Sequence, residues 1–481
     1  MDIVTSRKPL EGFLSSKADR PTLGLVYGRR RIGKSTLLEG TTVERGGFYW
    51  EATRGEVAIH LARLGEALGG YLGTGRIAFE DWSDAITQLL RLGAESATPV
   101  VLDEFGYLLE ADATLDSVIA RALGPAAHRT SPGRARLVLC GSAVTMMRAL
   151  TAGEAPLRGR AGMELVMQPL DFRGARSQIG IRDDLPLAAH IFSVIGGVIG
   201  YATDMVDHDL PTGLDDFGRW VSDRVLSPAA TLHHEATTLL AEDPSLSGAN
   251  PAMHQSILGA IANGSVTAGM IANRLRRSVS NLDPALKRLI AAGFVVRHED
   301  PIRSQRPLYA LSDPLLQFHY AVLEPHATLL RNRNPRATWD RTLAKTFDSR
   351  VRGPIFEEQA RSWVRRYADP ATLGGNPDHV CPSVVMIDGT GHQLDVVVAA
   401  DEAGTAPADR TVLAIGEAKA GEVIDLSHLR RLEQARSALG SRAAQALLLL
   451  VGSAFSTDME AVAATRSDVE LVNLDRLYNG S

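Results

Sequence analysis

Gly28-Arg29-Arg30-Arg31-Ile32-Gly33-Lys34-Ser35 fits the pattern G-x-x-x-x-G-K-[ST], and its two flanks decide how it is read. Before it, Leu23-Gly24-Leu25-Val26-Tyr27 is a short apolar run of buried-strand type. After it, Ser35-Thr36-Leu37-Leu38-Glu39 opens a helix. A glycine-rich bend between a strand and a helix aims backbone N–H groups at one point, and the helix start adds positive potential there, so the bend favours an anion. The expected occupant is the phosphate tail of a nucleoside triphosphate, ATP, held by Gly28, Arg29, Arg30, Arg31, Ile32, Gly33, Lys34, Ser35 and Thr36. In such a loop Lys34 reaches the β- and γ-phosphates and the Ser35 hydroxyl binds Mg²⁺.

Another apolar run, Pro99-Val100-Val101-Leu102, leads straight into Asp103-Glu104, the Walker B pattern. Asp103 is expected to hold Mg²⁺ through water, and Glu104 to orient or deprotonate the attacking water. Two acids at a strand tip also suit a solvated turn; the loop upstream favours the first reading. A third run, Arg136-Leu137-Val138-Leu139-Cys140, ends in Gly141-Ser142, and Ser142 is the candidate sensor of the γ-phosphate. All three motifs end their strands, where ligands of open α/β sheets collect.

The 481-residue chain has room for three or four domains. With 45% hydrophobic and 22% charged residues it has the composition of a soluble globular protein, which argues against disorder and against a membrane fold. The most apolar stretch, Ala443 to Phe455, is too short to span a bilayer, and Met1-Asp2-Ile3-Val4-Thr5-Ser6-Arg7-Lys8 has no apolar signal core. A cytoplasmic location is expected. The two cysteines, Cys140 and Cys381, lie far apart and support neither a disulfide framework nor a Cys-ligated metal. A net charge of −5 argues against a globally basic nucleic-acid binder but leaves local basic faces open.

Four parts are expected: an ATPase core over 1–170, a helical lid over 171–245, a winged helix-turn-helix over 246–340 and a further α/β domain over 341–481. Arg158 or Arg160, at the end of the core, is a candidate for stabilising charge on the transferring phosphoryl group, from the same chain or from a neighbouring copy in a homo-oligomer. Gly196-Gly197 and Tyr201 suit either a lid over the nucleotide or tight helix packing. In the third part, helices over Met253 to Ala262, Thr267 to Leu275 and from Ser280 to Gly293 precede two strands, Phe294 to Arg297 and Pro307 to Leu311. Ser280 with Asp283 reads as the capping pair of the third helix. On DNA that helix would present Asn281, Lys287 and Arg288 to the groove, while Arg303 or Arg306 of the wing contacts phosphates. A wing that packs protein against protein fits equally.

From about Phe356 the order is a helix, three extended runs (Pro382 to Ile387, Gln393 to Ala399, Thr411 to Lys419), a helix over Leu426 to Leu439, a strand Ala446 to Val451 and a further helix. This αβββαβ order is that of restriction-endonuclease-like PD-(D/E)xK domains. Their chemistry needs an acid on the second strand and acid-x-Lys on the third, so that two carboxylates meet one Mg²⁺ and a lysine polarises the water. Asp395 and Glu417-Ala418-Lys419 stand in those places, and Glu357 would add a carboxylate from the first helix. Such folds also serve as binding modules, so cleavage and binding both remain open.

With these residues in place, nearly the whole chain resembles the archaeal-type ATPases, a P-loop family often fused to a C-terminal domain of unknown function. The resemblance rests on Tyr27 to Ser35, Phe79-Glu80-Asp81-Trp82, Leu102-Asp103-Glu104-Phe105, Leu139-Cys140-Gly141-Ser142, Tyr309 to Phe318, Gly353-Pro354-Ile355-Phe356-Glu357, Gln393-Leu394-Asp395 and Gly416-Glu417-Ala418-Lys419. It implies ATP binding and hydrolysis on a fold akin to AAA+ and signalling NTPases. Two positions depart from the pattern: Ile199 stands where a proline often follows the glycine pair, and Gln393 replaces a common acid. The expectation is an ATP-hydrolysing switch that repositions DNA-binding and nuclease-like modules; the alternative is an ATP-dependent regulator whose C-terminal domain only binds.

Overall fold

The computed structural model describes residues 3–125, 127, 133–246, 250–303, 306–401 and 405–481; Met1 and Asp2 of the N-terminal stretch read above lie outside them. The chain forms two compact units: Met1–Leu170 with Val198–Gly200 and Asp243–Ser247, and Asp171–Gly197 with Tyr201–Glu242 and Gly248–Ser481. Among the described residues no helix is long and apolar enough to cross a membrane.

The first unit is built on β1 (Thr22–Tyr27), β2 (Phe48–Glu51), β3 (Pro99–Asp103), β4 (Arg136–Gly141) and β5 (Ala161–Val166), in the order β2-β3-β4-β1-β5. Every pairing is parallel. Parallel strands are covered on both faces, which is why β3 and β4 read as unbroken apolar runs and are buried along their whole length. One face is closed by Leu64 and Leu68 of the helix Val57–Leu72, Ile86 and Leu89 of the helix Trp82–Arg91, and Phe105 and Leu108 of the helix Phe105–Ala111. Asp81 caps the second of these by accepting from the Asp84 N–H.

At the foot of β4, Arg136 is fully buried. Its guanidinium donates to the carbonyls of Ser16 (2.7 Å), Ala18 (2.8 Å), Arg134 (2.9 Å) and Arg20 (3.1 Å), which pins the turn entering β1. Burial, with help from Arg134, lowers its pKa below the ordinary arginine value. Arg136→Met keeps the bulk but strands those carbonyls; we expect a loss of roughly 2–4 kcal/mol, read as a fall of the first unit's melting transition by roughly 5–10 °C. An unchanged melting curve would mean that water replaces the guanidinium at no cost.

In the second unit the helices Pro251–Ala262, Ala268–Leu275 and Val279–Ala291 precede an antiparallel hairpin of β6 (Val295–His298) and β7 (Leu308–Leu311). The third helix starts earlier than the sequence reading has it. Ser278, not Ser280, is the cap: its extended backbone lets Oγ accept from the Asn281 N–H, and Asp283 pairs with Lys287 at 2.7 Å instead. The hairpin loop also behaves differently from an open wing. Both Asp300 carboxylate oxygens accept from Ser383 Oγ (2.9 Å), Ile302 is 2% exposed in an apolar core, and Arg303 donates to the Val384 carbonyl (2.8 Å). One guanidinium nitrogen of Arg303 is therefore engaged within the fold.

The partner of that loop is a sheet of β8 (His379–Ile387), β9 (Thr390–Ala399), β10 (Val412–Ile424), β11 (Leu447–Phe455) and β12 (Val469–Val472), in the order β12-β11-β10-β9-β8. β8, β9 and β10 run antiparallel in turn; β10, β11 and β12 are parallel. The helix Gly353–Arg366 covers one face with Phe356, Ala360, Trp363 and Val364, and the helix Leu426–Leu439 covers the other with Leu429, Leu432 and Ala435. β12 and the closing helix Leu474–Asn479 are additions to the order read from sequence.

The helices expected in a nucleotide lid, Phe172–Ile179 and Leu185–Ile195, belong to this second unit, where Phe172, Ala188 and Ala189 share the core of Trp363 and Tyr478. The second of them, LPLAAHIFSVI, is apolar nearly all round and needs cover on more than one side. Arg173 reinforces this docking by stacking 3.7 Å over the Tyr367 ring and donating to the Leu477 carbonyl (2.7 Å). Of the two readings of the glycine pair, packing describes what is found. Gly196 lies against Pro314, and Tyr201 is buried with its hydroxyl on Asp313 at 3.1 Å.

Candidate functional site

The parallel order β3-β4-β1 brings three loop starts to one edge of the first sheet, beginning with Gly28 after β1. A β-carbon on Gly28 would lie 2.4 Å from the Met167 carbonyl oxygen and 2.7 Å from Ile32 Cδ1, so only glycine fits. Gly33, at φ 88°, turns the chain into the helix Lys34–Glu44 with no side-chain cap. The Leu37 N–H is bonded to the Gly33 carbonyl (3.0 Å), so the amides of Lys34, Ser35 and Thr36 precede the first helical acceptor. Lys34 is only 5% exposed, and its Nζ donates to the Arg29 carbonyl at 2.8 Å, closing the loop on itself. Ser35 and Thr36 are exposed. Arg31 adopts φ 64°, and its carbonyl accepts from the Gly200 N–H at 2.9 Å; Arg30 donates to the Tyr107 hydroxyl at 3.3 Å.

At the tip of β3, Asp103 is completely buried. Its Oδ1 accepts from the Glu104 N–H (2.7 Å), its Oδ2 accepts from the Tyr49 hydroxyl (2.7 Å), and the Cys140 thiol lies against it. Burial first, and then the Asp103 charge, push that thiol well above its ordinary pKa, so Cys140 stays protonated. Glu104 sits in the left-handed region at φ 48°, a conformation that costs about 1 kcal/mol or more for a residue with a β-carbon. Its carboxylate accepts from Ser142 Oγ at 2.9 and 3.2 Å. Ser142 thus steadies Glu104, a partner the sequence reading did not give it. Arg158 and Arg160 are exposed and donate to carbonyls of their own turn, Gly153 (2.6 Å) and Pro156 (3.2 Å).

In the second unit, β9 and β10 bring Asp395, Glu417 and Lys419 together. Lys419 Nζ lies 3.0 Å from Glu417 Oε1 and 3.7 Å from Asp395 Oδ2. The same Glu417 oxygen accepts from Arg431 (2.9 Å), and the same Asp395 oxygen accepts from the Ala418 N–H (3.0 Å). Gln393, the departure noted above, donates to Asp395 Oδ1 at 3.4 Å. On the facing helix, burial and then the Asp395 charge push Glu357 up to about 8, so it carries a proton at neutral pH. Its neighbour Glu358 moves oppositely: burial raises it, but Arg361 and Arg365 outweigh that and hold it at about 2. Among the described residues no group of three or more His, Cys, Asp or Glu side chains is arranged to hold a metal ion.

Sequence reasoning missed Tyr49, Arg361 and Arg431. Tyr49 lies in Phe48-Tyr49-Trp50-Glu51, where three successive aromatics give no sign of which one reaches Asp103. The two arginines sit among other charged residues of their helices, and only the fold selects them.

No protein-family model matches the chain. Over 344 residues it is 25% identical to an uncharacterized protein of Methanocaldococcus jannaschii, MJECL04, covering 71% of this chain and 72% of that one. Among solved structures it is similar to the Walker-type ATPase PABY2304 of Pyrococcus abyssi, at TM-score 0.49 and 20% identity over 69% of this chain and 95% of that one. It is also similar to the ORC2 protein of Aeropyrum pernix in its ADPNP-ADP complexes, at TM-score 0.42 and 18% identity over 68% of this chain and 92% of that one.

Proposed function

We propose that the chain is a magnesium-dependent ATPase whose nucleotide state is coupled to DNA-binding and nuclease-like modules in its second unit. The observation that carries the reading is the loop Gly28 to Ser35, folded around the Lys34–Arg29 hydrogen bond on the same sheet edge as Asp103 and Glu104. A phosphate has the charge to draw Lys34 off a carbonyl oxygen. The hydroxyl of Ser35 and the carboxylate of Asp103 are hard oxygen donors that suit Mg²⁺, which keeps several waters and shares the nucleotide's phosphate oxygens. When bound, the ion neutralises charge on the β- and γ-phosphates. Glu104, steadied by Ser142, accepts the proton of the attacking water. Arg158 or Arg160, from a neighbouring copy in a homo-oligomer, would add charge stabilisation.

Coupling has a short covalent route. Gly200, in the first unit, is bonded to Arg31 of the loop; Tyr201, the next residue, belongs to the second and is bonded to Asp313. DNA would meet the exposed Asn281, Lys287 and Arg288 of the helix Val279–Ala291 and the exposed Arg306 of the hairpin. The surface pair Lys287–Asp283 is worth little and does not withhold Lys287 from a phosphate.

Calorimetry and phosphate release test the ATPase. Lys34→Ala should weaken nucleotide binding tenfold or more, whereas Glu104→Gln should bind as the parent does and turn over about 10²–10³-fold more slowly. Equal turnover in Glu104→Gln and the parent would remove the base assignment; absence of any nucleotide heat would remove the whole reading.

A second reading of the C-terminal site has its own support. Glu417 is shared by Lys419 and Arg431, and Glu357 is protonated, an arrangement already neutral without a cation and suited to a binding domain. Incubation with single- and double-stranded DNA and with RNA in Mg²⁺ separates the two. Cleavage abolished by Glu417→Ala and by Lys419→Ala is the expectation for a nuclease; no cleavage of any substrate leaves the non-catalytic regulator.

A further inference from the structure

Tyr49, on β2, reaches the tip of the neighbouring strand β3. Its hydroxyl donates to Asp103 Oδ2 at 2.7 Å, and the Ser35 hydroxyl lies beside the same phenol. Ser35 and Asp103 are the two groups that a divalent ion at this site would join, one from the loop after β1 and one from the tip of β3. The phenol therefore touches both of the groups that would hold such an ion. The phenol comes from β2, which pairs with β3 in a register that sets Tyr49 opposite Val101 and Glu51 opposite Asp103. Asp103 is fully buried, and its other oxygen is already taken by the Glu104 N–H. Without the phenol, a buried carboxylate oxygen would lose its charge-assisted partner.

Resting on the nucleotide-site reading above, we propose that Tyr49 is a positioning residue that stands in for the divalent ion in the nucleotide-free protein. Its hydroxyl satisfies Asp103 and holds it in line with Ser35, and it gives up that hydrogen bond when a magnesium nucleotide enters. Tyr49 thereby sets how much the metal adds to nucleotide affinity. The chemistry is an exchange of one hydrogen bond for one metal or metal-water contact, and no covalent bond changes.

Calorimetric titration of the full chain with ADP, once in excess Mg²⁺ and once in EDTA, reads this directly without turnover. In Tyr49→Phe the ratio of the EDTA to the Mg²⁺ dissociation constant should rise about tenfold, the size expected when one charge-assisted hydrogen bond no longer competes. The EDTA value itself should stay within about twofold of the parent's. Should Tyr49→Phe not fold, Tyr49→Leu also removes the hydroxyl and gives the same comparison. A ratio that is unchanged, or that falls because the phenol helps to hold the metal's water, overturns the proposal. Failure of the parent to bind ADP in either condition would instead defeat the nucleotide-site reading itself, so the two failures are distinguishable.

Discussion

Parallel pairing is the constraint from which the rest of the first unit follows. When β3, β4 and β1 lie side by side and run the same way, every chain reversal after a strand falls on one edge. Backbone amides at the start of the helix Lys34–Glu44, the Asp103 carboxylate and Glu104 are brought together there although the amide of Thr36 precedes Asp103 by 67 residues in sequence. The apolar runs that build the strands bury the sheet on both faces and leave polar groups only at the ends. The site is therefore a consequence of how the sheet must close, and the chemistry-bearing residues sit where apolar character stops.

Burial at that edge makes each unpaired oxygen costly, and the molecule answers with neutral donors. Asp103 is met by the Glu104 amide, the Tyr49 phenol and the Cys140 thiol. The second unit meets the same difficulty differently. Glu417 is matched by Lys419 and Arg431, Glu358 by Arg361 and Arg365, and Glu357 keeps its proton beside Asp395. One acidic centre is satisfied by neutral donors; the other balances charge with charge.

What the sequence disclosed was what periodicity and short motifs can encode. The strand ahead of Gly28, the acids after Leu102 and the paired runs before Asp395 and Glu417 all lie within a few residues of where they are read, because alternation and apolar runs are local signals. Partners supplied by distant segments were not legible. Tyr49 reaches Asp103 across 54 residues, and Arg303 reaches Val384 across 81. The helices of 171–197 read as a lid because an amphipathic or apolar helix says that it must be covered and does not say by what. The four-residue β12 is too short to show a period, and it exists because β11 has an edge to pair.

The loop of the hairpin is docked on the C-terminal sheet of the second unit. A wing is useful in groove recognition when its tip is free to meet the backbone, but here the loop after β6 puts Ile302 into the core beneath β8–β12 and spends Asp300 and Arg303 on β8. Ile302, Asp300 and Arg303 thus tie the hairpin loop to the sheet that carries Asp395, Glu417 and Lys419. Opening it would expose Ile302 and leave the Asp300 carboxylate without its Ser383 donor, a cost set against any gain from one arginine–phosphate contact. The exposed Asn281, Lys287 and Arg288 lie instead on the helix Val279–Ala291, ahead of the hairpin.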